Sequence, residues 1–175
     1  DVSESRGLGD VYKRQHGGNR TGRVFTGDRS ADFLFSCLYK TGFASQPDSV
    51  NRNDGLKLYN MYLTTALKCV PPEDKPTSKE LKTCFNFFNQ EINHLKKITT
   101  IVALGKIGHD ACVNYYKQHY EIKNKDFIFS HGSTNILPDK KILIGSYHPS
   151  PRNVNTGRID QNKMVKLLNK IKKIL

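Results

Sequence analysis

Two runs of the chain hold most of the residues that could do chemistry. The first is His16-Gly17-Gly18-Asn19-Arg20-Thr21-Gly22-Arg23-Val24-Phe25-Thr26-Gly27-Asp28-Arg29-Ser30. Its glycines let backbone approach a ligand closely, and successive exposed N–H groups there form an anion-binding nest. Phe25 stands alone among polar residues, which favours an aromatic platform over a core position. Asp28 is followed by Phe33, Leu34, Cys37 and Leu38, spaced like one face of a helix. It therefore stands at a helix N-cap, and taken alone that structural role is a sufficient account of it. The second run is Gly145-Ser146-Tyr147-His148-Pro149-Ser150-Pro151-Arg152-Asn153, continuing through Thr156-Gly157-Arg158. Here His148 is a candidate proton donor, and Arg152, Asn153 and Arg158 are donors suited to phosphate oxygens.

The elements around these runs follow from hydrophobic pattern. Lys141-Ile142-Leu143-Ile144 reads as a short buried strand that Gly145 and Ser146 end. Pro149 and Pro151 forbid continuation as a central strand or a helix. His148 is thus expected on a stiff, polar loop at a strand end, where open α/β sheets bind ligands. An ordinary turn with a half-exposed histidine is the plainer alternative. Residues 98–104 read as a second buried strand. It ends at Gly105-Lys106, before a helix carrying Ala111, Val113 and Tyr116 on its apolar face. A glycine between strand and helix makes a backbone-close anion site, a weak signal by itself.

Elsewhere, Gly42 ends the first helix, residues 43–55 form a loop, and residues 59–67 read as a strand. Thr77 or Ser78 caps a helix to about residue 97, with Leu81, Phe85, Phe88, Ile92 and Leu95 on one face. Residues 127–129 read as a short strand leading to a loop at His131-Gly132. Residues 160–175 form an amphipathic helix with Lys163, Lys166, Lys170, Lys172 and Lys173. That face could lie on DNA, although solvation alone accounts for it. Cys37 and Cys112 read as helix packing, and His109 and His119 as surface histidines.

The 175 residues suit one domain with a proper core. A formal net charge of +12 points to an anionic partner, nucleic acid first. A bias toward Lys, Asn and Ile is the bland account of the same excess. There is no apolar run long enough to span a bilayer and no secretory h-region. Four cysteines at irregular spacing make no disulfide framework and suggest a cytoplasmic protein. Cys69 and Cys84, separated by a proline-rich loop, are too few for a four-ligand metal or cluster site. They are ordinary thiols or half of a ligand set. Residues 1–15 show no periodicity and read as a foreign leader, or else a natural disordered tail, preceding a domain over residues 16–175.

Together these motifs resemble the uracil-DNA glycosylase superfamily, and in particular its type-5, iron–sulfur-containing branch. The matching stretches are residues 16–28, Cys69-Val70-Pro71-Pro72-Glu73-Asp74-Lys75-Pro76 with Cys84, Ala103-Leu104-Gly105, and Tyr147-His148-Pro149-Ser150. The resemblance implies a three-layer α/β/α sandwich with a short, mainly parallel central sheet. It implies hydrolysis of the N-glycosidic bond of uracil, with hypoxanthine or other altered bases as further substrates, flipped out of double-stranded DNA. Asp28 and His148 would be catalytic, Asp28 serving water and the sugar cation and His148 donating to the departing base. Phe25 would stack on that base, in a pocket with His16, Gly17, Asn19 and Asp74. Arg20, Arg23, Gly105, Lys106, Pro149, Ser150, Arg152, Asn153 and Arg158 would contact DNA. Cys69 and Cys84 would be two of the four ligands of a [4Fe–4S] cluster in the intact protein, which is expected to act as a monomer. The family carries an N-terminal strand and a further cysteine pair where this chain has residues 1–15, so the cluster is expected to be incomplete here. Asp74 stands where the family pattern expects Asn, and a carboxylate cannot donate as an amide does. The alternative function is a catalytically silent module that binds damaged or single-stranded DNA. A zinc module on Cys69 and Cys84 would need two more converging ligands.

Overall fold

The computed structural model describes residues 21–68 and 76–175. These form two compact units, one of residues up to Thr64 with Pro149–Lys173 and one of Thr65–His148 with the last two residues.

In the first unit, helix α1 spans Arg29–Lys40. Asp28 starts it, its carboxylate accepting from the Ala31 N–H at 2.8 Å. Ala31, Leu34, Phe35, Cys37 and Leu38 are buried along one stripe. Gly42, at φ +77°, follows the C-cap Thr41 and supplies the left-handed backbone that ends the helix. The last helix of the chain, Gln161–Lys172, packs on α1 through Met164, Leu167, Leu168 and Ile171. Lys172 donates to the Thr41 carbonyl at 3.0 Å, setting a cation at the negative end of α1.

In the second unit, helix α2 spans Ser78–His94, strand β1 Thr100–Leu104 and helix α3 Lys106–Lys117. Strand β2 is Thr134–Ile136 and strand β3 Ile142–Ser146. Thr77 and Glu80 close a reciprocal capping box at the start of α2. β3 lies between the other strands, parallel to β1 over five residue pairs and antiparallel to β2 over three. α3 packs against β1 and β3, and Phe88 of α2 joins Ala103, Ala111, Cys112, Val113, Tyr116, Leu137 and Leu143 in the core. This is the expected α/β class with a short sheet.

Several local expectations are overturned. Residues 59–67 form no strand: only Leu58 is bridged, to Ala44. The Tyr59 N–H still donates to the Phe43 carbonyl at 2.9 Å, but Asn60 then takes φ +54°, and the pairing goes no further. Residues 127–129 are irregular, following a short 3-10 turn at Asn124–Asp126. The strand lies instead at Thr134–Ile136. β3 runs on through Gly145 and Ser146, because a glycine there admits a neighbouring turn. A Cβ on Gly145 would lie 2.5 Å from both the Ser130 carbonyl oxygen and the Ser133 hydroxyl. Pro151 opens a helix, α4, Pro151–Asn155, where its missing N–H costs nothing; the final helix Gln161–Lys172 is α5. α2 stops at His94, short of residue 97. His109 is buried at 1% exposure rather than lying on the surface.

Candidate active site

The candidate residues fall in separate places along the fold, and each is positioned by local chemistry. In the first unit, the loop leading into α1 carries Arg23, Phe25 and Asp28. Phe25 has φ +50°, a left-handed conformation that a bulky side chain rarely adopts and that costs about 1–3 kcal/mol. The surroundings hold it there. Gly22 and Gly27, at φ +68° and +72°, take the turns on either side. The Arg23 guanidinium forms a fork on Asp54, at 3.0 and 2.5 Å, and donates to Thr26 Oγ1 at 3.0 Å and Ser49 Oγ at 2.8 Å. Gly27 N–H donates to the Ser49 carbonyl at 2.8 Å. Four of the guanidinium's hydrogen bonds are therefore made inside the protein, and Arg23 works as a clasp between this loop and residues 49–56. That geometry favours the clasp over the expected phosphate contact.

The clasp predicts an acid sensitivity. Hydrogen bonds from Arg23 first, and from the Leu56, Val50 and Asn51 N–H groups, hold the Asp54 carboxyl well below the usual carboxylate range. A carboxyl more acidic in the folded chain contributes stability that is complete above its unfolded pKa of about 4 and is lost as pH falls through the folded value. Asp54→Asn should lower Tm at neutral pH, by about 1–3 kcal/mol in stability, and flatten the acid limb of a Tm-versus-pH curve. An unchanged Tm at neutral pH would dismiss the clasp.

In the second unit, the parallel register pairs Leu104 with Ser146. The next residues, Gly105 and Tyr147-His148, therefore leave the sheet side by side. Gly105 N–H donates to the Ser146 carbonyl at 2.7 Å. Gly105 has φ +96°, and a Cβ on it would sit 3.3 Å from the Cβ of His148. Conformation and crowding thus both call for glycine. It is also the N-cap residue of α3, so half-exposed His148 stands beside the positive end of a helix. Lys106, largely exposed, pairs with Asp110 one turn on at 2.8 Å.

Beyond His148 the chain returns to the first unit. Pro149 is fully buried, and Ser150 caps α4 by accepting from the Asn153 N–H at 3.4 Å. The Asn153 carbonyl accepts from the Ile159 N–H at 3.2 Å, closing the loop in which exposed Arg152 and Arg158 stand. His16, Gly17, Asn19, Arg20, Cys69 and Asp74 lie outside the described residues.

For a cluster, the donors must be thiolates. Burial pushes the Cys112 thiol up to about 12 and the Cys37 thiol up to about 11, which disfavours both as ligands. Cys84 on α2 is half-buried. Among the described residues no three His, Cys, Asp or Glu side chains converge, so these residues do not by themselves make a four-thiolate site.

Sequence reasoning missed the aromatic surroundings of Tyr147, formed by Phe129 and His131, with buried His109 behind them. One signal for His109 was available. It shares the helical spacing of Cys112 and Tyr116, the buried face of α3.

The chain matches the uracil DNA glycosylase superfamily over residues 13–172. It is similar to a type-5 uracil-DNA glycosylase of Thermus thermophilus, with 38% identity over 91% of this chain and 70% of that protein. A type-5 uracil-DNA glycosylase of Pyrobaculum aerophilum is 37% identical over 87% of this chain and 64% of its own length. One from Mycobacterium tuberculosis is 36% identical over 91% and 59%, so the chain spans roughly two thirds of these relatives. Proteins so named are hydrolytic DNA N-glycosylases. No described helix is long and apolar enough to cross a membrane. From a match that covers nearly the whole sequence, the chain belongs to the uracil-DNA glycosylase superfamily, alongside its type-5 members.

Proposed function

We propose that the chain removes uracil from double-stranded DNA in the cytoplasm, acting as a monomer to begin base excision repair, with hypoxanthine or other altered bases as further substrates. The glycosylase unit is residues 16–175. The observation that carries this reading is the pairing of Gly105 and His148 at the C-terminal ends of two parallel strands, beside the N-terminus of α3. A donor fixed at that edge suits a leaving group that becomes anionic as its bond breaks.

In the proposed reaction, water adds to C1′ as the glycosidic bond breaks, and the base departs with the bonding electrons. His148 donates to the departing base, a contribution of about 3 kcal/mol for one placed donor. Asp28 orients the water, accepts its proton and offsets the cationic sugar. Phe25, already held in a strained conformation, stacks on the extruded base for about 1–3 kcal/mol. His16, Gly17, Asn19 and Asp74 complete the base pocket. Gly105 and Lys106 meet a flanking phosphate, and Arg20, Ser150, Arg152, Asn153 and Arg158 grip the strand; Pro149, expected among these contacts, is fully buried and stiffens the loop from inside instead. Cys69 and Cys84 would supply two of the four thiolates that hold a [4Fe–4S] cluster. Iron and sulfide content measured on protein purified without oxygen, against Cys84→Ala, tests this. Equal iron in the two would remove Cys84 from the ligand set.

The deciding experiment uses a labelled duplex with one uracil opposite guanine, scored for abasic sites. The chain should release uracil, and His148→Ala should slow release by about 10²–10³-fold at unchanged Tm. Tight binding of the duplex with no base release from uracil or hypoxanthine would replace the enzyme with a silent DNA-binding module.

A further inference from the structure

Two rings meet Tyr147, the residue just before His148, and a third backs one of them. His131 stacks on Tyr147 with ring centroids 5.6 Å apart and planes inclined by 27°. Phe129 meets the same ring edge-on at 6.1 Å. His109 backs Phe129 at 5.4 Å, buried and with neither ring nitrogen hydrogen-bonded among the described residues. Burial lowers its affinity for a proton, against the pull of the Asp110 carboxylate 3.7 Å from Nδ1. A polar contact runs alongside the rings. The Ser146 hydroxyl is fully buried and donates to the Tyr147 carbonyl at 3.1 Å. Its lone pairs are thereby left to the Nδ1 of His131 at 3.4 Å, where a protonated Nδ1 donates. The turn itself is strapped to β3. Gly132 N–H donates to the Gly145 carbonyl at 2.8 Å, and Gly145 N–H donates to the Ser133 carbonyl at 3.0 Å.

We propose that His131 is a positioning residue for the candidate active site: its ring and its Nδ1 hold Tyr147 and Ser146, fixing the backbone from which His148 projects. This rests on the reading of His148 as the donor to the departing base. A donor displaced by about 1 Å can cost about 10²-fold in rate, so the brace affects turnover without touching substrate.

Variants that separate the two contacts test it. His131→Phe keeps the stacked ring, His131→Asn keeps a donor near Nδ1 without the ring, and His131→Ala keeps neither. Three quantities are measured: single-turnover uracil release, affinity for the duplex, and backbone 15N relaxation at Tyr147 and His148 in the free protein. His131→Ala should slow release by about 10–100-fold with affinity held within about twofold. It should also loosen both amides, and His131→Phe should recover most of the order and the rate. Amides as ordered in His131→Ala and His131→Asn as in the original chain would overturn the brace. So would parallel losses of Tm and affinity in all three variants. Should His131→Ala not fold, the His131→Phe and His131→Asn pair decides by the same relaxation measurement. If the unaltered chain releases no uracil, the donor reading of His148 fails, while relaxation still decides whether His131 orders the loop.

Discussion

Asp28→Asn should reduce uracil release by about 10²–10⁴-fold and leave the fold standing. Asp28 holds two positions at once. Its carboxylate caps α1 through the Ala31 N–H, and the proposed chemistry needs the same carboxylate for water and the sugar cation. Asn and Asp cap helices about equally well, so the amide keeps the cap and loses the charge. Some loss at the positive end of the helix is expected, about 0.3–1 kcal/mol. Asp28→Ala removes both functions and should cost about 0.5–2 kcal/mol of stability as well. Single-turnover rates and Tm of the two variants separate the roles. If Asp28→Asn turns over like the original chain, the carboxylate is a cap and nothing more.

Gly145→Ala carries the second large effect, this time through packing. The added methyl would stand 2.5 Å from the Ser130 carbonyl oxygen and the Ser133 hydroxyl, and 3.3 Å from Phe129. The hydroxyl could turn away, but the carbonyl belongs to the backbone of the turn and cannot. Either that turn lifts off β3 or the strand bends. Overpacking of this kind costs about 1–3 kcal/mol, or about 2–12 °C in Tm. Because Gly145 lies three residues before His148, uracil release should fall beyond what the lost stability explains at a temperature where the variant is folded. Gly157→Ala makes the comparison. Its site is open, with nothing within 4 Å of the added methyl, so only its left-handed backbone is strained. It should lower Tm modestly and leave the Tyr147 amide as it was. Equal Tm for Gly145→Ala and the original chain would mean that the turn yields freely.

What could be read from the sequence is what local forces determine. Helix starts are written in adjacent residues: Asp28 before Ala31, Thr77 with Glu80, Asp160 before Lys163. Helix faces are written in spacing, so Leu34 with Leu38, and Phe85 with Phe88, fell on the buried sides as expected. The apolar runs of β1 and β3 and the glycine after β1 placed His148 at a strand end, and the family motifs singled out the same residue. The tertiary structure decided everything that depends on a distant partner. Residues 59–67 have strand-like composition, yet their pairing stops at Tyr59, whereas Thr134–Ile136, largely exposed and unremarkable in pattern, becomes a strand because β3 lies beside it. Arg23 was legible as a cation. That Asp54, thirty-one residues away, takes up its fork was not. His109 became interior, and His131 became part of a brace, through rings that only folding brings together. Capping and helical periodicity act within a turn or two of chain. Pairing, burial and close packing depend on surfaces that do not exist until the chain has folded.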